Sequence, residues 1–220
     1  MFADRGHEPY LERAASYLIG IKKQYPQQPV IYYGGKTDLL HAIEEIADAI
    51  GIFCDHIDVG EDSPFTARLI DALNKFSQVI SENTKDRKCI SLLDAFSERY
   101  HPEDKHEPQP VDSLMSGIFE EDLKDVLVML GKALAKSGDA ICLFINDMHC
   151  LSLEEIGGFA AALHRCNQLR LPVMLFGAGL PEILELVGEA KSYAERLFKF
   201  EVVDAVSNPE LAVLPTKIQG

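Results

Sequence analysis

Two short apolar runs constrain this chain more than any other feature. Ile141, Cys142, Leu143, Phe144 and Ile145 follow one another without a polar break, and Val173, Met174, Leu175 and Phe176 do the same after Leu171 and Pro172. A strand with one wet face alternates apolar and polar residues. An unbroken run of four to six is what a strand buried on both faces looks like, and such strands belong to parallel sheets covered by helices on either side.

The rest of the chain supplies the covering helices. Tyr10, Ala14, Tyr17, Leu18 and Ile21 share one side of a helix predicted over residues 10–25, ended by Pro26 and Pro29. Val30, Ile31, Tyr32 and Tyr33 form the next strand. Leu39, Leu40, Ile43, Ile46, Ala47 and Ile50 then recur at helical spacing, with Gly51 as the stop. A strand over 52–59, helices over 65–80 and 120–136, and a helix capped by Ser152 with Glu155 three residues on follow in order. Pro181 opens a short helix, and residues 197–203 read as a last strand. The stretch 81–110 is charged and proline-bearing with an apolar island at 90–96, and it reads as an irregular surface excursion. Strands alternating with helices give an α/β fold of three layers: a parallel sheet between two layers of helices.

At the exit of the first strand stands Gly34-Gly35-Lys36-Thr37, just before the helical pattern that starts near Asp38. This is the tail of a phosphate-binding loop, in which backbone N–H groups curl around a β-phosphate, the lysine reaches the β/γ-phosphates and the hydroxyl holds Mg²⁺. A helix N-terminus behind it adds anion affinity. The full motif needs a glycine five positions before Gly35, and Val30 stands there. Two readings fit these four residues: a shortened phosphate cradle, or a tight strand-to-helix turn with a solvated lysine.

The second polar strand end is Asn146-Asp147. A carboxylate there holds Mg²⁺ or its waters in phosphoryl-transfer sites, and a following one orients the attacking water. Asparagine is a neutral and weaker metal ligand. If extended geometry persists, Asp147 falls on the opposite side of the strand from Asn146. The alternative is a plain turn ahead of Ser152. The third strand end, Gly177-Ala178-Gly179, lacks a side chain for chemistry and favours close backbone approach. His149, Cys150, His164 and Cys166 raise zinc as a rival, yet without the paired spacing of zinc ligands, so buried thiols and ordinary histidines are the competing reading. No cysteine lies on a strand-to-helix elbow of the kind a cysteine hydrolase needs.

Composition removes several function classes. With 21 basic against 35 acidic residues the formal charge is −14, which repels nucleic-acid backbones, and no basic cluster offsets it. No apolar run approaches the ~20 residues of a membrane helix. Five dispersed cysteines suit reduced thiols, and the expected location is cytoplasmic.

The run from Leu171 through Gly177-Ala178-Gly179-Leu180-Pro181, followed by Gly188-Glu189-Ala190-Lys191-Ser192-Tyr193-Ala194-Glu195-Arg196-Leu197-Phe198, strongly resembles bacterial AAA-type ATPases, P-loop proteins related to origin-recognition and signal-transduction ATPases. The resemblance extends back through residues 146–151, 121–138, 57–65 and Gly35-Lys36-Thr37, and so covers about 30–200. It implies a P-loop sheet in which the strand before Gly34 lies beside the strand ending at Phe176, and that one beside the strand ending at Asn146. ATP and Mg²⁺ are the implied ligands. Gly34, Gly35, Lys36 and Thr37 would take the phosphates; Thr37, Asn146 and Asp147 would face the metal. Asn146 and Asp147 stand where the family carries consecutive Asp and Glu. Arg196 lies in the region of a trans-acting arginine finger, with a structural salt bridge as its alternative.

The departures point one way. The loop is short, the metal acid is an amide, and the water-orienting glutamate is the shorter Asp147. The chain also stops about where a C-terminal helical lid would begin, so residues 1–203 are expected to form the core and 204–220 a tail in place of a lid. Loss of one charge-stabilising group costs roughly 10²–10³-fold in rate. The expectation is therefore a degenerate AAA-type ATPase domain with weak ATP binding and little or no hydrolysis, acting mainly through a protein partner as a monomer or weak oligomer. The alternatives are an active ATPase with a rebuilt loop and a scaffold protein without a nucleotide site.

Overall fold

The computed structural model describes residues 7–34, 37–60, 64–83, 86–101 and 114–203. Five strands, β1 (Val30–Tyr33), β2 (Phe53–Asp58), β3 (Ile141–Asn146), β4 (Val173–Gly179) and β5 (Lys199–Val202), pair in the order β2-β3-β4-β1-β5. Every pairing is parallel, with His56 opposite Phe144, Phe144 opposite Phe176, and Val30 between Phe176 and Lys199. The strand before Gly34 thus neighbours β4, and β4 neighbours β3.

Eight helices are described: α1 (Glu8–Lys22), α2 (Thr37–Ala49), α3 (Phe65–Asn83), α4 (Arg87–Tyr100), α5 (Phe119–Ser137), α6 (Leu153–Gln168), α7 (Ile183–Ala190) and α8 (Ala194–Leu197). Their distribution follows from the handedness of parallel crossovers. The connection from β1 to β2 runs across the sheet in one direction and carries α2; every later connection runs the other way. Right-handed crossovers therefore put α2 on one face and α3 to α8 on the other, while α1, which precedes β1, joins α2.

The unbroken apolar runs become two cores. Ile31, Ile141, Leu143, Ile145, Val173 and Leu175 point toward α3 to α8. Val30, Tyr32, Cys142, Phe144, Met174 and Phe176 point toward α1 and α2. Each large apolar side chain buried in this way stabilises the fold by roughly 1.5–3 kcal/mol. On the α1/α2 face a row of rings crosses four strands: His56, Phe144, Phe176 and Tyr32 stack in turn at 6.2, 5.7 and 6.3 Å between centroids. Register sets His56 beside Phe144 and Phe144 beside Phe176, and Tyr32 lies on the same face two residues past Val30, the partner of Phe176, so the row follows from sequence alternation.

The stretch 81–110 departs from the irregular excursion expected of it. Residues 87–100 form α4, capped by Asp86, whose carboxylate accepts from the Cys89 N–H at 3.4 Å. Cys89, Leu93 and Phe96 are buried, at helical spacing, and the charges occupy the outer side. Asp122 of α5 ties this helix to the segment that follows it. Its carboxylate accepts from Tyr100 Oη at 2.7 Å, from Ser116 N and Oγ at 2.7 and 2.8 Å, and from Gly117 N at 2.9 Å. The rest of that excursion, residues 84–85 and 102–110, and the tail 204–220 lie outside the described residues.

Smaller differences sit at element ends. β4 runs on through Gly177-Ala178-Gly179, and the last strand begins only at Lys199 because Leu197 closes α8. The Ser152 capping box forms as read: Ser152 Oγ accepts from Glu155 N at 3.2 Å, and Glu155 Oε2 accepts from Ser152 N at 2.8 Å. Among the described residues, no helix is long and apolar enough to cross a membrane.

Candidate functional site

Because the sheet is parallel, β1, β3 and β4 all release their chains at the same edge. In open α/β sheets the crevice outside this carboxyl edge is where ligands sit. Gly34 leaves β1 there with φ 97°, and a Cβ at this position would stand 2.9 Å from the carbonyl oxygen of Val203. Val203 is itself held by its N–H to Tyr33 O at 2.8 Å. Glycine is thus required twice over, by backbone hand and by space. Gly35 and Lys36 lie outside the described residues; Thr37 opens α2, and its side chain is likewise not described.

Asn146 ends β3 on the α2 face, in line with Cys142 and Phe144. Its amide donates to Asp58 Oδ1 at 3.1 Å, across the Asp58–Asn146 register of β2 and β3. Asp147 does not continue the strand. It adopts φ 54°, ψ 39° and starts a 3-10 turn at Met148–Cys150, so the opposite-side placement that extended geometry would give is corrected: the chain has already turned. Aspartate tolerates this left-handed region better than most residues.

The turn lies over the end of β4. Met148 is fully buried, and a Cβ on Gly177 would collide with its sulfur. His149 Nδ1 accepts from Leu180 N at 3.3 Å. The close backbone approach expected at the glycines of β4 is therefore made, by this turn.

Arg196 is not brought to that edge. Its carbonyl accepts from Gln28 Nε2 at 3.0 Å, and Gln28 precedes β1, so Arg196 sits near the amino edge of the sheet. There it lines a cavity of about 270 Å³ with Gln28, His164, Asn167, Tyr193 and Leu197. Within one chain it does not meet Asn146 and Asp147.

The zinc rival also comes apart. His149 is engaged with Leu180, His164 Nε2 pairs with Gln168 at 2.9 Å, and burial pushes the Cys166 thiol up to about 12. All five cysteines are free, and these four positions form no cluster of metal-ligating groups among the described residues.

Sequence reasoning missed Asp58. The signal was present, since Cys54, His56 and Asp58 alternate onto one side of β2, but its meaning depends on β2 lying beside β3 in that register. A carboxylate from the neighbouring strand therefore stands at the amide where the resemblance implies an acid. No protein-family model matches the chain, and no curated protein matches it significantly.

Proposed function

We propose that this chain is a degenerate AAA-type P-loop ATPase domain that binds ATP weakly, turns it over little or not at all, and works mainly through a protein partner. The observation that supports the reading best is the strand order. With β1 beside β4 and β4 beside β3, Gly34, the start of α2 and Asn146 share one edge of the sheet. That neighbourhood suits a triphosphate: a helix N-terminus for the anion, a lysine for its charge and a hydroxyl for Mg²⁺.

The same edge argues against efficient hydrolysis. Asn146 spends its amide on Asp58, and Asp147 has left the strand on which a water-orienting acid would stand. Phosphoryl transfer depends on positioning and charge stabilisation, so both changes act on the step itself. A protein partner is then the natural destination of whatever nucleotide binding does.

A second reading, a working Mg²⁺-dependent ATPase, is favoured by one observation: Asp58 keeps a carboxylate beside Asn146, where it can replace the missing acid. Calorimetric titration with ATP, with and without Mg²⁺, on the native chain and on Lys36→Ala separates the cases. Weak binding reduced about tenfold or more by Lys36→Ala supports a retained phosphate site. Mg²⁺-dependent phosphate release lost in Asp58→Ala supports the second reading, and no binding at millimolar ATP leaves a scaffold protein.

A further inference from the structure

Between α2 and the edge strand β2 lies a cluster that the nucleotide reading does not use. His41, exposed, and Glu44, half-buried, stand one turn apart on α2, and His56 meets them from β2. His56 Nδ1 stands 3.0 Å from Glu44 Oε2, and His41 Nδ1 stands 3.5 Å from the same oxygen. The ligand atoms of the three residues all lie within 4.8 Å of one another. A tetrahedral zinc ion with bonds of 2.0–2.1 Å sets its ligand atoms about 3.3 Å apart. The two separations from Glu44 Oε2 fall on either side of that spacing.

The protons point the same way. A neutral imidazole has one N–H and one lone pair. His56 presents Nδ1 to Glu44 and Nε2 to Asp58 Oδ1, which is 3.7 Å away. Nε2 is buried and makes no hydrogen bond. In the neutral ring, whichever nitrogen carries the proton, the other turns a lone pair toward a carboxylate. A metal ion between Nδ1 and Glu44 removes the conflict, as a second proton on the ring would, because Nε2–H then faces Asp58. This is the carboxylate–histidine–metal relay that orients ligand rings in metal sites. Asp58 is itself fixed by Asn146, and the His56 ring rests against Phe144. The His41 ring lies nearly parallel to that of His56, 4.4 Å away, so the exposed His41 turns about its side-chain torsions to aim Nδ1 at an ion held by His56 and Glu44. The strand-borne half of the site, His56 with Asp58, is in place beforehand.

We propose that His41, Glu44 and His56 bind one divalent transition-metal ion of the zinc class, with Asp58 orienting His56 and water completing the coordination. Two imidazoles and one carboxylate suit zinc, and disfavour Mg²⁺ and Ca²⁺, which take oxygen ligands. The ion ties α2, the helix that follows Lys36, to the edge of the sheet. It does not depend on nucleotide, so the test uses none.

The chelator-stripped full chain is titrated with Zn²⁺ by competition calorimetry, alongside His41→Ala, Glu44→Gln and, as a control for the exposed Cys150 beside His149, Cys150→Ser. One equivalent is expected to bind the native chain and Cys150→Ser alike, and His41→Ala to weaken binding at least tenfold. His41 is 56% exposed, so its removal leaves the fold intact. At a hundredfold excess over Kd, Zn²⁺ should raise Tm by roughly 5–10 °C in the native chain and not in His41→Ala. Co²⁺ in place of Zn²⁺ should show ligand-field absorption without a thiolate charge-transfer band. Absence of binding, binding untouched by both His41→Ala and Glu44→Gln, or a thiolate band would each overturn the proposal and leave a hydrogen-bonded His–Glu–His contact.

Discussion

Asn146, the last residue of β3, donates its side-chain amide to Asp58 of β2 at 3.1 Å. The strand end is thus an amide–carboxylate pair, neutral on one side and anionic on the other. Asn146→Asp would set two carboxylates at about that separation and delete the hydrogen bond. The expected cost is on the order of 1–3 kcal/mol at neutral pH. It should appear as a lower urea midpoint with unchanged slope, partly recovered by millimolar Mg²⁺ in the variant alone. An unchanged midpoint would mean that the pair is not coupled.

Gly34 directly follows β1, two residues before Lys36 in sequence. With φ at 97° and the Val203 carbonyl 2.9 Å from where a Cβ would stand, Gly34→Ala must shift either its own backbone or the end of β5. A destabilisation of roughly 1–3 kcal/mol is expected. Thermal unfolding of the variant against Gly60→Ala, where a Cβ meets open space, checks this directly. Equal Tm values would contradict it.

Two buried carboxyls give stability a defined dependence on acid. Burial alone would raise the Asp122 carboxyl, but hydrogen bonds from Tyr100, Ser116 and Gly117 outweigh it and hold the group below its ordinary value of 3.8. Glu201 behaves likewise: burial is outweighed by Arg13, bonded at 2.7 Å, and by Lys199 at 3.1 Å, leaving it below its ordinary 4.5. A carboxyl depressed by folding contributes its full stability above the unfolded-state value and loses it as pH falls through the folded-state one. Stability should hold down to about pH 4.5 and decline below it. Asp122→Asn should show a shallower decline than the native chain in urea midpoints taken from pH 7 to pH 2.5, together with lower stability at pH 7. Parallel profiles would contradict the assignment.

How much of this could be read beforehand varied with the kind of physics involved. The strands β3 and β4 were legible because burial on both faces removes alternation, and the Ser152 cap because its partners are local in sequence. α4 was not legible: Cys89, Leu93 and Phe96 carry a helical period, but the flanking charges and prolines of 81–110 masked it, and its burial comes from α3 and α5. β4 ran on through its glycines because Ile31, Tyr32 and Tyr33 of β1 pair with them, while Met148 fills the space beside Gly177, contacts between segments far apart in sequence. Asp58 and His56 gain meaning only through register with β3 and proximity to α2. Arg196 reads as a trans-acting group in the chain, and the fold sets it at the amino edge, away from Asn146 of its own chain.

The central claim is that a phosphate site survives at Lys36 while the apparatus for turnover does not. The most direct measurement takes both quantities from one sample: ATP affinity by calorimetry and phosphate released per chain over hours, native chain against Lys36→Ala, with Mg²⁺ present. Weak binding that Lys36→Ala abolishes, with turnover near that of ATP in buffer alone, is the predicted result. Sustained Mg²⁺-dependent release that Lys36→Ala eliminates, or no binding at millimolar ATP, would contradict it.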